Sequence, residues 1–130
     1  MILIDTSAIY ALADRVDSNH SAAERIMRGL LDGGEELVLH TYILIESFAL
    51  LHHRHGLAVA IQMSEDLASL RTVTVDRRLH DDAVNRLRRS KRHAPSLVDA
   101  VSFCVMERED IRTAFAFDAD FGRAGFELVV

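Results

Sequence analysis

Short apolar runs recur along this chain, and each is followed by a longer span with helical spacing. Ile2-Leu3-Ile4, Leu37-Val38-Leu39, Thr72–Val75, Thr113–Phe117 and Phe126–Val130 read as strands. Helices are expected over Ser7–Ala13, His20–Leu31, Tyr42–His53, Leu57–Leu70, Arg78–Ser90 and Ser96–Arg108. Strands that are apolar on both faces and separated by helices leave few solutions, of which the commonest is a parallel sheet covered on each side. The expected fold is therefore α/β: a three-layer α/β/α sandwich around a central parallel sheet. At 130 residues the chain suits one domain spanning residues 1–130. In such sheets, sites form beyond the carboxyl ends of the strands. That edge is where chemistry is sought.

Composition removes several classes. The longest apolar stretch, Tyr42–Leu51, is interrupted by Glu46 and Ser47 and is too short to span a bilayer. No basic segment followed by an apolar run opens the chain, so neither export nor membrane insertion is indicated. Cys104 is the only cysteine, which rules out an internal disulfide and fits a reducing cytoplasm. A net charge of −5 disfavours a generic nucleic-acid binder, because phosphate contacts need Lys and Arg. Charge is nevertheless local: Arg86, Arg88, Arg89, Lys91, Arg92 and His93 lie close together just before Asp99. Within this stretch Arg86, Arg89, Lys91 and Arg92 are candidate nucleic-acid phosphate contacts, the alternative being a solvated helix face. The His52-His53-Arg54-His55 run precedes Gly56 at a helix end, where His favours the dipole and is solvated.

Four acids from distant positions fall at the favoured edge. Asp5 closes the first strand and Asp118 the Thr113–Phe117 strand; Asp99 lies in the first turn of one helix and Glu46 in the second turn of another. Three of them also have ordinary structural readings. Asp5 can cap the Ser7 helix, Asp99 has capping-box spacing from Ser96, and Asp118 can be a turn residue. Glu46 is harder to dismiss, being the only charged residue between Thr41 and Leu51 in a helix apolar enough to be mostly buried. Its helical neighbours Tyr42, Ile43, Ala49 and Leu50 offer no cation. Two carboxylates about 4 Å apart repel by ~4 kcal/mol at an effective dielectric near 20. A gathering of such groups either takes up protons or recruits cations. With no Cys or paired His nearby, the site is all oxygen, which selects Mg²⁺ or Mn²⁺ over Zn²⁺. Phosphodiester hydrolysis is the chemistry such a site suits.

At this point the chain resembles a PIN domain, and more narrowly a VapC-type toxin of bacterial toxin–antitoxin pairs. Ile2-Leu3-Ile4-Asp5-Thr6-Ser7 matches the family's opening signature, and Thr41–Glu46 resembles the segment with its helical glutamate. Ser96-Leu97-Val98-Asp99-Ala100 and Phe117-Asp118-Ala119-Asp120-Phe121 resemble its third and fourth motifs. The resemblance implies that Asp5, Glu46 and Asp99 hold Mg²⁺ or Mn²⁺ and that Asp118 completes the catalytic cluster. It implies that Thr6 or Ser7 positions the metal shell or the phosphate. It further implies cleavage of RNA by metal-activated water, restraint by a small antitoxin that inserts a basic side chain, and a homodimer formed near the third and fourth helices. One departure stands out. The family often has Thr or Ser two residues before the fourth acid, and here that position is Ala116. Asp120 is an extra acid beside Asp118, read either as sharing its role or, preferably, as a cap for a short helix at Phe121.

Two other readings share this fold: a solitary PIN nuclease in RNA processing, and a weakly active interaction module. A haloacid-dehalogenase phosphatase is disfavoured because Asp5-Thr6-Ser7 lacks its second Asp. A receiver domain is disfavoured because Lys91, the only lysine, falls outside its pattern.

Overall fold

The computed structural model describes residues 1–129; Val130, the last residue of the expected closing strand, lies outside the described residues. The strands are β1 (Ile2–Ile4), β2 (Leu37–His40), β3 (Arg71–Val73), β4 (Thr113–Phe115) and β5 (Glu127–Leu128). They form one parallel sheet in the order β3-β2-β1-β4-β5. The helices are α1 (Thr6–Ala13), α2 (His20–Asp32), α3 (Thr41–His55), α4 (Leu57–Leu67), α5 (Arg77–Arg89), α6 (Leu97–Arg108) and the short α7 (Asp120–Arg123). Every residue of β1 and β2 is buried. Successive strand residues face opposite sides, so both faces of the central sheet are covered, giving the three-layer sandwich.

The register places the chemistry. β1 and β4 are neighbours, with Ile4 opposite Phe115. Asp5 continues the pairing by donating its backbone N–H to the Phe115 carbonyl at 3.0 Å. Both strands therefore deliver their next residues to one edge. The core beneath is built from Leu3, Ile4, Leu39, Met106, Phe115 and Phe121, all fully buried. Cys104 is buried too, as a small apolar filler.

Several boundaries differ from expectation for identifiable reasons. β4 stops at Phe115, two residues early, because the Phe117 N–H turns to the Ser7 hydroxyl instead of a sheet partner. β3 ends at Val73, since the Val75 N–H is taken by Thr41 Oγ1 at 3.0 Å. α5 is capped by Asp76, whose side chain accepts the Leu79 N–H. Asp81 and Asp82, further along that helix, pair with Arg77 and Arg108. The largest correction concerns α3. It is not mostly buried: Ile43, Ser47 and Leu51 face inward, while Ile45 is 64% exposed. High apolar content does not by itself bury a helix on all sides, and α3 leaves an apolar face open.

Candidate active site

Each acid is delivered by a specific local device. Asp5 is almost inaccessible and caps α1: its Oδ2 accepts the Ser7 N–H at 3.1 Å and the Ser7 hydroxyl at 2.6 Å. The same hydroxyl accepts the Phe117 N–H at 2.9 Å, tying the start of α1 to the segment that carries Asp118. Capping and site geometry are thus one arrangement. Asp99 sits in the first turn of α6, fixed by its N–H donating to the capping Ser96 Oγ at 3.1 Å. Asp118 Oδ1 accepts the Asp120 N–H at 2.9 Å just ahead of α7, whose cap position is Ala119 and carries no side-chain cap, so Asp120 is the first residue of that helix and not its cap. Glu46, half-buried on α3, faces the cleft closely enough for its charge to act on Asp99.

Asp99, Asp118 and Asp120 each bring one carboxylate oxygen into a group whose members all lie within 4.8 Å of one another. Asp5 and Glu46 stand outside that tight triple but still act on it. Burial first, then the charges of Asp5, Asp118 and Glu46, push the Asp99 carboxyl up to about 8. Burial also raises Asp5, against the opposing hydrogen bonds from Ser7 and Thr6, with Asp118 adding to the rise. Among the described residues, no Lys or Arg forms an ion pair with Asp5, Glu46, Asp99 or Asp118. Only Asp120 has one, to Arg123 at 2.6 Å. The cleft therefore holds more negative charge than the chain itself compensates.

The donor chemistry fits a hard cation. The carboxylates are oxygen donors without thiol or imidazole, the set that Mg²⁺ and Mn²⁺ prefer. Beside Asp5, the buried Thr6 Oγ1 has no hydrogen-bond partner among the described residues, and neither has Ser47 Oγ beside Glu46. A buried hydroxyl without a partner costs about 1–3 kcal/mol. Of the two hydroxyls expected to position substrate, Thr6's is buried and unpartnered among the described residues and Ser7's is committed to the fold.

The expected basic contacts separate into distinct places. Arg86 is engaged by Glu107 at 2.7 Å and lies over the Phe103 ring, 5.2 Å from its centroid. Arg89 borders a shallow cavity with Asp82, Glu107 and Arg108. Lys91 and Arg92 are exposed and have no acidic partner among the described residues. Ala116 is buried and borders a small cavity with Ala22, Ile26 and Leu128 that contains none of the acids. The largest described cavity, about 630 Å³, is an apolar groove among α1, α2 and α4, also without the cluster.

One supporting pair was not legible in advance. His40 Nδ1 accepts the Ile43 N–H at 3.3 Å, capping the helix that bears Glu46. Its Nε2–H is then left to donate to Ser102 Oγ at 2.8 Å, and the Ser102 hydroxyl donates to the Val98 carbonyl at 3.1 Å. Burial holds this imidazole neutral, lowering its pKa to about 4. The pair locks the Glu46 helix to the Asp99 helix. The only sequence signal is a histidine where a Ser, Thr or Asp cap is usual.

Comparison with known proteins agrees with this architecture. The family model described as "PIN domain" matches residues 2–127. Two curated relatives, the 23S rRNA-specific endonuclease VapC20 of Mycobacterium tuberculosis strains CDC 1551 / Oshkosh and ATCC 25618 / H37Rv, are each 35% identical over 131 positions. Each alignment covers 97% of this chain and 95% of the relative. The crystal structure of Mycobacterium tuberculosis VapC20, titled a sarcin-ricin loop cleaving toxin, superposes with a TM-score of 0.87 at 32% identity. It covers 97% of this chain and 96% of that one. The chain belongs to the PIN-domain family.

Proposed function

We propose that this protein is a divalent-metal-dependent endoribonuclease, the toxin of a toxin–antitoxin pair. Asp5, Glu46, Asp99 and Asp118 are its metal-holding and catalytic acids, with Mg²⁺ or Mn²⁺ as the cation. The observation that carries this reading is Asp99, buried among Asp5, Asp118 and Glu46 with no ion-paired Lys or Arg among the described residues to balance them. When bound, the cation supplies Lewis acidity at the phosphate and makes water acidic enough to attack near neutral pH. The chain's own contribution is position. Ser7 fixes Asp5 and the Asp118 segment together, Ser96 fixes Asp99, and His40 and Ser102 hold the Glu46 and Asp99 helices at a set separation. Thr6 Oγ1 is the hydroxyl available to a phosphate oxygen or an ordered water.

The substrate class we propose is RNA, first an exposed loop of structured RNA, as the relatives' names suggest for them. Arg89, Lys91 and Arg92 supply attraction for the strand, with Arg86 held more rigidly beneath. The unbalanced charge also suits a protein partner that inserts a guanidinium, the means by which an antitoxin would silence the site. Ile45, Leu57 and Ile61, exposed on α3 and α4, form the surface we assign to a second copy of the chain. No helix among the described residues is long and apolar enough to cross a membrane.

The test is cleavage of loop-containing RNA by purified protein with Mg²⁺, Mn²⁺ or EDTA, beside Asp5→Asn and Asp99→Asn. Cleavage is expected with either metal and not with EDTA or the variants. Activity that survives EDTA discards the mechanism.

A further inference from the structure

A basic pocket adjoins the acids on one side. The segment between α5 and α6, the side of α6 and the short α7 enclose a cavity of about 300 Å³, bordered by Arg86, Arg92, His93, Phe103, Asp120 and Arg123. Three arginines face one aspartate there. Arg86 is held from behind by Glu107 and rests on Phe103, so its position is fixed. Arg123 is held by Asp120. Arg92 and His93 are exposed and pair with no acid among the described residues. His93 adopts φ 48°, a left-handed conformation that glycine takes freely and a residue with a side chain takes at a cost. The strained turn leaves an imidazole on the pocket wall where a glycine would be easier for the backbone.

Asp120 relates the pocket to the cleft. It borders this cavity, and its carboxylate belongs to the group within 4.8 Å that includes Asp99 and Asp118. A cation-lined recess thus opens a single side chain away from the acids. We propose that this pocket is a phosphate subsite: it takes a backbone phosphate of the RNA next to the linkage being cut. Arg92, His93 and Arg123 are its contacts. The proposal rests on the nuclease reading for the identity of its ligand. Its physical logic is that a polyanion entering a cleft crowded with carboxylates needs compensating cations close by. Arg89 does not meet that need as well, because its own cavity contains Asp82 and Glu107 and lacks Asp120. The pocket also gives a built-in ruler: a phosphate anchored there fixes which neighbouring linkage reaches the acids.

The test uses the full chain in EDTA, so that binding is read without cleavage. Fluorescence anisotropy with a labelled loop RNA is measured across a salt series for wild type, Arg92→Gln and Arg123→Gln. Arg28→Gln, an exposed arginine on α2 outside this pocket, serves as control. Each pocket variant is expected to weaken binding by roughly 5- to 20-fold and to lower the salt slope by about 1, with the control unchanged. A second series replaces one RNA linkage at a time by a neutral methylphosphonate. One position is expected to weaken wild-type binding, and that loss should shrink in Arg92→Gln, where only His93 and Arg123 remain to contact the phosphate. Wild type that binds no RNA, pocket variants no weaker than Arg28→Gln, or a methylphosphonate loss fully retained in Arg92→Gln would each overturn the proposal. RNA that is bound through the pocket yet remains uncut with Mg²⁺ or Mn²⁺ supports the subsite and refutes the nuclease reading.

Discussion

Replacing Asp99 with asparagine should stabilise the metal-free protein while abolishing its activity. In the fold the Asp99 carboxyl titrates at about 8 against an ordinary 3.8, because burial and then the Asp5, Asp118 and Glu46 charges oppose its ionisation. The sign follows directly. As pH rises above the unfolded value, the unfolded chain releases this proton and the folded chain must keep it, so stability falls until pH passes the folded value. At pH 7.5 the full linkage is about 5 kcal/mol, and solvent screening at the cleft mouth reduces it to about 2–3 kcal/mol. Asparagine keeps the shape and carries no charge. In EDTA at pH 7.5, Asp99→Asn should therefore melt roughly 6–10 °C above wild type. At pH 5 most of the linkage has vanished, and the gain should shrink to roughly 2–3 °C. Adding Mg²⁺ or Mn²⁺ at pH 7.5 to about 1,000 times its Kd should reverse the order, since the bound form then gains about 4.1 kcal/mol, more than the variant's advantage. The measurement is a pair of thermal melts at each pH, with and without metal. A variant no more stable than wild type at pH 7.5, or a gain indifferent to pH, refutes the electrostatic account of the cleft.

Other perturbations follow from the same geometry. Ser7→Ala removes a charge-assisted hydrogen bond and the one accepting from Phe117, so urea unfolding should show a loss of about 1–3 kcal/mol. Cleavage by that variant should fall further, by roughly 10- to 100-fold, because Asp5 and Asp118 lose their common anchor. His40, held neutral to about 4 against an ordinary 6.5, contributes stability that is present above pH 6.5 and is lost as pH falls toward 4, about 3 kcal/mol in all. An NMR titration should find this imidazole neutral at pH 5, and a midpoint near 6.5 would contradict its burial. Ile45→Arg should shift light-scattering mass from dimer to monomer while leaving the fold intact; an unchanged mass removes α3 from the proposed interface.

Much of the fold was legible because local pattern and global layer agree. Ile2–Ile4 and Leu37–Leu39 are apolar on both faces, and only a covered parallel sheet accommodates such strands between helices. Pattern does not carry strand order, however. That β1 lies between β2 and β4 depends on pairings remote in sequence. The Ser7–Phe117 hydrogen bond joins residues 110 positions apart, so no local rule could anticipate where β4 ends. Glu46 shows a different failure. Its surroundings were read from composition, but an apolar helix can still turn Ile45 to solvent and place its acid at a half-open cleft. The Arg86–Arg92 stretch looked uniform as text. In space its side chains divide among an ion pair, a separate cavity and a recess beside Asp120.

The adjacency of β1 and β4 also sets a timetable. Asp5 is synthesised well before the strand beside it, with β2, β3 and the helices α1 to α6 made in between, and Asp118 follows later still. Long-range pairing of this kind closes late. On the proposed activity, a nascent copy is harmless to the RNA around it until Asp118 has been made and has joined Asp5, so synthesis itself acts as a safety interval in which a waiting partner can bind.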